Sequence, residues 1–279
     1  MTSKTTEGDP QGLANLLAQA DLTVEGQLSG ASNATLLCWV DDRRNDDPLS
    51  DEPIRCVYKP KRGERPLWDF PTGTLGRREV ATYLLAELIG WGSIPVTVWR
   101  EDGPFGPGMC QAWIDADSAR PAVDVVTPSE VPEGWRVVLE AQTYDGQDVV
   151  LAHEDSEELQ RIAVLDIITN NADRKGGHVL RTPLGNPQGI DHGLAFHVEP
   201  KLRTVLWGWA GEPLDPAILR DLKALVSILE DRPQHSTEFG HYISESEYSA
   251  LLGRITHLHD TGRFPDPGPE HPALPWPPM

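Results

Sequence analysis

The chain has 279 residues, of which 39% are hydrophobic and 7% aromatic, an ordinary globular composition with enough apolar material for a sizeable core. With 43 acidic against 24 basic residues the net charge is -19, which repels phosphate backbones and anionic lipid, so nucleic acid and stable membrane association are excluded as expectations. Cys38, Cys56 and Cys110 lie in apolar stretches without Cys-x-x-Cys spacing and read as reduced core residues; with no apolar leader and no run of about 18 apolar residues, a cytoplasmic location is expected.

Residues 1–15 are polar and read as a flexible tail. Residues 22–28 (LTVEGQL) alternate apolar and polar side chains, SGASNAT supplies a small-residue turn, and residues 36–40 (LLCWV) form the second arm of a hairpin. The acidic run DDRRNDDPLSDEP is expected to be a solvated loop before a third strand, residues 54–59 (IRCVYK), which Pro60 ends. In residues 77–90, Val80, Tyr83, Leu84 and Leu88 share one helical face, with Gly90 as the stop. Residues 95–100 and 108–113 read as two more strands around the turn-rich DGPFGP.

The texture changes near residue 113. The second half opens with a hairpin turning at Asp145-Gly146 and a helix capped by Asp155 with Glu158, running through the apolar LQRIAVLDII. The polar loop NNADRKGGH follows, then strand-like VLRTPL and QGIDHGLAF, and helices at about 214–230 and 244–256. The expected organisation is an N-lobe over 16–112, a C-lobe over 113–263 and a proline-rich tail over 264–279, with neither tail carrying catalysis.

This order of parts is that of kinase-like enzymes: an α+β fold of two lobes, the first an antiparallel sheet with one helix, the second mainly helical. Each fragment meets a physical need of phosphoryl transfer. The backbone from Gly30 to Thr35, with Ser29, Ser32 and Asn33, offers donors to a triphosphate. Lys59, at the end of the third strand, can reach the α and β phosphates, with Glu79 as its orienting partner and Glu87 as the competing helix carboxylate. Asp173, in a polar loop after a buried helix, can accept a hydroxyl proton; Asp191, in Asp191-His192-Gly193, can hold a magnesium ion that bridges phosphates. A nucleobase is expected between the lobes against the backbone of residues 110–113, which makes Gln111 and Trp113 cofactor contacts.

The segment LDIITNNADRKGGH resembles the catalytic loop of phosphatidylinositol 3- and 4-kinases and HipA-type kinases, and IDHG resembles their metal-binding segment. SGASNATLLCWV, VYKPKRGERPLWDFP, NNADRKGGH and KLRTVLWGWAGE together resemble a bacterial family of kinase-like proteins, over residues 20–215. The resemblance implies that Lys59 contacts phosphate, that Glu79 is its partner, that Asp173 with Arg174 is catalytic, and that Asp191 binds metal. Where that pattern has an oxygen ligand this chain has His178, and neutral imidazole suits Mn²⁺ better than Mg²⁺.

The expected cofactors are thus ATP and Mg²⁺ or Mn²⁺, and the acceptor is a hydroxyl of a protein or small polar metabolite. Arg174 and Lys175 are read as neutralising phosphate charge or as internal salt bridges, Lys201 and Arg203 as marking the acceptor side, and Lys59 to Arg65 as a second anion contact. Trp207 and Trp209 read as core. Two alternatives stand beside this reading: a nucleotide-binding pseudokinase, and a metal-dependent hydrolase using His178, Asp191 and His192, with His153 or His197.

Overall fold

A computed structural model describes residues 9–28, 30, 33–41, 54–231, 234–268 and 272–279. Most of the acidic run before the third strand, and its expected solvated loop, therefore lie outside the described residues.

Period-two alternation builds the first sheet. Its strands are β1 (Asp21–Gln27), β2 (Leu36–Asp41), β3 (Ile54–Pro60), β4 (Thr97–Arg100) and β5 (Gly108–Ala112), all antiparallel in the order β1-β2-β3-β5-β4. Cys38 pairs with Cys56, and Tyr58 with Cys110, so one face carries Cys38, Val40, Cys56, Tyr58 and Cys110, all fully or almost fully buried. The three cysteines are free thiols within that face.

A helix the sequence reading did not foresee covers it. Residues 10–15, read as tail, belong to α1 (Pro10–Gln19), which starts with Pro10 behind an Asp9 cap whose carboxylate accepts from Gly12 N at 2.9 Å. Leu13 and Leu17 face the sheet, a stripe too short to stand out among its polar neighbours. Buried Arg100 on β4 donates to the Leu17 and Ala20 carbonyls at 2.8 and 2.9 Å, placing a cation on the helix C-terminus.

The sheet's other face meets α2 (Leu75–Ile89), which ends at Gly90 with φ 81° as its left-handed cap. Its early turns are buried on nearly every side, Arg78 and Glu79 included, because α2 lies between the sheet and the second half of the chain. The single apolar face read from the sequence understates this.

The second half begins with β6 (Val123–Val126), β7 (Trp135–Gln142) and β8 (Asp148–Glu154), in the order β6-β8-β7. The β7–β8 hairpin turns at Asp145-Gly146 as expected, Gly146 taking φ 83°. Helix α3 (Glu157–Thr169) follows, then the short hairpin of β9 (Val179–Arg181) and β10 (Pro187–Gly189), then α4 (Pro216–Glu230) and α5 (Glu245–Thr261). The cap of α3 is Ser156, which accepts from Leu159 N at 3.3 Å. Asp155, expected to cap, instead binds the Trp209 indole and Arg136.

Ala81 and Leu85 of α2 share one core with α3, α4, α5, Phe196 and Trp209, so the helix of the first lobe is seated on the second. The described part of the proline-rich segment also packs: Leu274 lies against that core, and Ala273 O accepts from Thr204 N at 3.0 Å and the Trp207 indole at 2.9 Å. The result is a two-lobed α+β fold in which the five-stranded antiparallel sheet carries α1 on one face and α2 on the other, α2 also packing on the mainly helical second half. Among the described residues no helix is long and apolar enough to cross a membrane.

Leu17 is fully buried, so Leu17→Ala should lower stability by about 2–5 kcal/mol, read from the urea midpoint. A change below about 0.5 kcal/mol would mean that α1 contributes nothing to the sheet it covers.

Candidate active site

Alternation along β3 puts Lys59 on the face opposite Tyr58, toward α2. Its Nζ lies 2.9 Å from Glu79 Oε1 and 3.0 Å from Asp191 Oδ1. Residues 20 and 132 positions away thus meet on one ammonium. Burial alone would lower the Lys59 pKa, but Asp191 and Glu79 outweigh it and keep the amine charged. Lys59 is the chief reason the Asp191 carboxyl is held well below the usual range, an effect that water tempers because that side chain is 45% exposed. Burial raises Glu79 to about 7; Lys59 pulls against it, and Asp191 adds repulsion. Glu79 Oε2 is buried without a partner.

Helix α2 is held at both faces. Glu64, from the loop before it, accepts from Leu75 N and Gly76 N at 3.1 and 2.9 Å and so caps the helix from outside. Arg78 is 2% exposed, donates to Ala195 O at 2.6 Å, pairs with Glu247 of α5, and lies 4.9 Å from the Phe70 ring centroid. These contacts aim Glu79 at Lys59. Neither Glu64, Arg78 nor Glu247 was singled out from sequence, since each partner is distant in the chain.

The polar loop after α3 is built around a buried ion pair. Arg174 is fully buried and grips Asp166 with two bonds, Nε to Oδ2 at 2.8 Å and Nη2 to Oδ1 at 3.0 Å. Its Nη1 donates to His178 O at 2.9 Å and Ile190 O at 2.8 Å, and Nη2 meets His192 Nε2 at 2.5 Å. Of the two roles read for Arg174 from the sequence, the structure shows the internal salt bridge: the enclosed guanidinium joins the two loops. Its partner Asp166 was missed, although a lone Asp inside the apolar AVLDII was a visible signal.

Asn170 ends α3 at φ 58° and holds the chain beyond, donating to His197 O and Glu199 O at 2.8 and 2.7 Å and accepting from Lys201 N at 2.8 Å. Asn171 donates to Asp166 Oδ1 at 2.8 Å and accepts from Asp173 N at 3.1 Å. Thus Asp173 stands on a fixed loop with its carboxylate 29% exposed and 3.1 Å from Lys175 Nζ. Burial raises its pKa, against the pull of Lys175.

His178 completes the cluster. Its Nδ1 is 2.9 Å from Asp173 O, and because a carbonyl only accepts, Nδ1 carries the proton. Nε2 then presents a lone pair to Asp191 Oδ2 at 3.5 Å. Burial lowers the His178 pKa to about 4, so the ring is neutral near pH 7. Two acceptors facing one another suit a cation between them, and one carboxylate oxygen with one imidazole fits Mn²⁺ at least as well as Mg²⁺. Among the described residues no group of three His, Cys, Asp or Glu could hold a metal, so the remaining ligands would come from phosphate and water.

Other expected contacts are placed differently. Ser29 and Ser32 lie outside the described residues. Gly30 has φ 85°, while Asn33 Oδ1 accepts from Arg65 N at 2.8 Å and ties the turn to the loop after β3. Gln111 and Trp113 have protein partners of their own: the Gln111 amide donates to Thr97 Oγ1 at 2.8 Å, Trp113 N to Arg55 O at 3.1 Å, and the Trp113 indole to Asp115 at 3.0 Å. Arg55 lies 5.4 Å from the Trp113 ring and 5.8 Å from that of Trp39.

His192, offered to the hydrolase reading, is 1% exposed and turned toward Arg174. His153 is equally buried, accepting from Gly208 N at 3.0 Å and lying 4.3 Å from the Trp209 ring. Burial lowers its pKa to about 4, so it is a neutral core histidine. Trp209 is core, as read from sequence, at 1% exposure. The chain's last residues touch the same loop, Gly176 N donating to Pro278 O at 2.8 Å.

Over 272 residues the chain is 45% identical to Protein Rv2133c of Mycobacterium tuberculosis, a match spanning 94% of each protein. It belongs to the Rv2133c family. No family model matches it. Solved structures with a related course of the chain include hydra Fam20 with sugar (14% identity, 89% of this chain and 86% of that one, TM-score 0.48) and the Helicobacter pylori proinflammatory kinase CtkA (11% identity, 88% and 94%, TM-score 0.41). Likenesses this distant carry no weight for the chemistry, which stands on the geometry of the cluster.

For this member of the Rv2133c family, Arg174→Ala strands Asp166 as an unpaired buried charge and should cost about 3–5 kcal/mol in chemical denaturation. Less than about 1 kcal/mol would mean the guanidinium is not the buried frame described here.

Proposed function

We propose that this chain is a nucleotide- and metal-dependent phosphotransferase that moves the γ-phosphoryl group of ATP to a hydroxyl of a protein or small polar molecule. The observation that carries it is one ammonium, Lys59, shared between Glu79 and Asp191, with His178 facing the same Asp191 and Asp173 on the adjoining loop.

In this reading Lys59 binds the α and β phosphates, and Glu79 keeps it extended toward them. Asp191 and His178 would hold Mg²⁺ or Mn²⁺, which when bound neutralises phosphate charge. Asp173 orients the acceptor hydroxyl and takes its proton, a task favoured by its raised pKa. Lys175, two residues on and beside Asp173, supplies the mobile positive charge that Arg174 cannot.

The test is γ-phosphate release from labelled ATP, with water as the default acceptor, by the native protein and Asp173→Asn. Turnover should fall about 10²- to 10⁴-fold in the variant, while nucleotide affinity changes by less than about threefold. Equal turnover in both proteins would remove Asp173 from its role. Nucleotide binding with no turnover in the native protein would leave a nucleotide-regulated binding protein in place of an enzyme.

A further inference from the structure

A proline-rich segment crosses the loop that carries Asp173 and His178. Residues 272–279 (PALPWPPM) include four prolines, which fix φ and have no backbone N–H, so the segment can neither continue a helix nor lie inside a sheet. What it can offer is carbonyl oxygens, and it offers them at two places. Ala273 O accepts from Thr204 N at 3.0 Å and from the Trp207 indole at 2.9 Å, with Leu274 packed against the core beside it. Further on, Pro278 O accepts from Gly176 N at 2.8 Å. Between these anchors Trp276 stands 89% exposed, so freeing the far end uncovers little and leaves the core intact.

The two anchors clasp backbone that is already paired. Arg174 and Thr204 form a bridge, with Arg174 N donating to Arg203 O at 3.0 Å and Val205 N to Arg174 O at 3.1 Å. The segment bonds Thr204 on one side of that bridge and Gly176, just past Arg174, on the other.

The loop's own sequence creates the need for an outside anchor. Gly176 and Gly177 are adjacent, and glycine loses more backbone freedom on ordering than any other residue. They open the tight turn Gly176–His178, in which His178 N donates to Lys175 O at 3.1 Å. Gly176 is buried, and a buried N–H without an acceptor is costly, so Pro278 O is the partner that keeps the turn closed. The fit is close enough that a Cβ on Gly176 would collide with Sδ and Cε of Met279. His178 ends this turn, its Nδ1 2.9 Å from Asp173 O and its Nε2 3.5 Å from Asp191 Oδ2. We propose that residues 273–279 are a positioning strap for His178: by fixing the Gly176–His178 turn they hold the imidazole on Asp173 O and aimed at Asp191. Under the metal–nucleotide reading above, on which this last consequence alone rests, the strap sets how well that imidazole meets the cation.

Three full-length variants isolate the contact. Gly176→Ala drives Met279 from its seat without backbone strain, since Gly176 does not take the left-handed conformation. Adding Met279→Ala to it clears the collision, and Pro278→Gly keeps the carbonyl while returning backbone freedom to the strap. In metal-free protein, amide exchange at residues 176 and 178 should quicken about tenfold or more in Gly176→Ala and about two- to fivefold in Pro278→Gly. In Gly176→Ala/Met279→Ala it should return to within about threefold of native. The His178 ring should show one protonated and one unprotonated nitrogen by ¹⁵N NMR in the native protein, averaged nitrogens in Gly176→Ala, and the native pattern again in the double variant. Amides of α3 should exchange at the native rate throughout, which separates release of the loop from unfolding. Calorimetry with Mn²⁺ and ATP should show affinity about tenfold lower in Gly176→Ala, with no further loss when that change is made in a His178→Gln background. An unchanged turn and ring in Gly176→Ala, exchange that quickens equally through α3, an effect that Met279→Ala does not relieve, or further loss in the His178→Gln background would each overturn the proposal. Strap-dependent order of His178 with no metal–nucleotide binding would uphold the strap and contradict the metal–nucleotide reading.

Discussion

A guanidinium without access to water sets the geometry of the site. Arg174 and Asp166 are both completely buried, and burial of an ion pair is tolerated only where the remaining donors are also met. Here they are met by the two loops that carry Asp173 and Asp191: His178 O, Ile190 O and the His192 ring all lie on this one cation. The loop bearing Asp173 and the loop bearing Asp191 therefore cannot shift independently. Asn171 extends the constraint, since it bonds Asp166 on one side and the Asp173 backbone on the other.

A second charge arrangement is built on that frame. Lys59 serves two carboxylates at once, so one of the negative charges is only partly compensated. Buried Glu79, with one oxygen lacking a partner, is the carboxylate whose pKa rises, whereas half-exposed Asp191 stays ionised. The ionised group is the one that faces the neutral, lone-pair-bearing nitrogen of His178. In the proposed reading, the ionised oxygen and the imidazole lone pair side by side would receive a cation, and the nearby ammonium a phosphate. The Arg78 contacts with Ala195 and Glu247 keep α2 seated on the second lobe, so that Glu79 reaches Lys59 without help from any further partner.

What was legible in the sequence was what local chemistry encodes. Alternation in LTVEGQL and IRCVYK, the Asp145-Gly146 turn and the Gly90 stop are all short-range signals, and strands, hairpin and helix end appear where they direct. The meeting of Lys59, Glu79, Asp173, His178 and Asp191 was inferred from the order of parts and from the family resemblance, and the structure brings them together. Tertiary partners were not legible. Arg174 reads as a phosphate contact or a salt bridge until Asp166 is seen one helix turn inside α3, and Asp155 looks like a cap until Trp209 and Arg136 claim it. Helix α1 was hidden because its apolar stripe is two residues facing the sheet, and the proline-rich segment because its anchors are backbone carbonyls, which have no sequence signature.

The central claim is that Asp191, held ionised between Lys59 and His178, makes a metal–nucleotide site. Titration calorimetry with ATP alone, with ATP and Mg²⁺, and with ATP and Mn²⁺, on the native protein and Asp191→Ala, addresses it directly. The account predicts metal-dependent binding to the native protein, at least as tight with Mn²⁺ as with Mg²⁺, and weakened about tenfold or more in the variant, a difference of about 1.4 kcal/mol per factor of ten. Binding that is indifferent to both metal and Asp191, or no binding under any of these conditions, would contradict it.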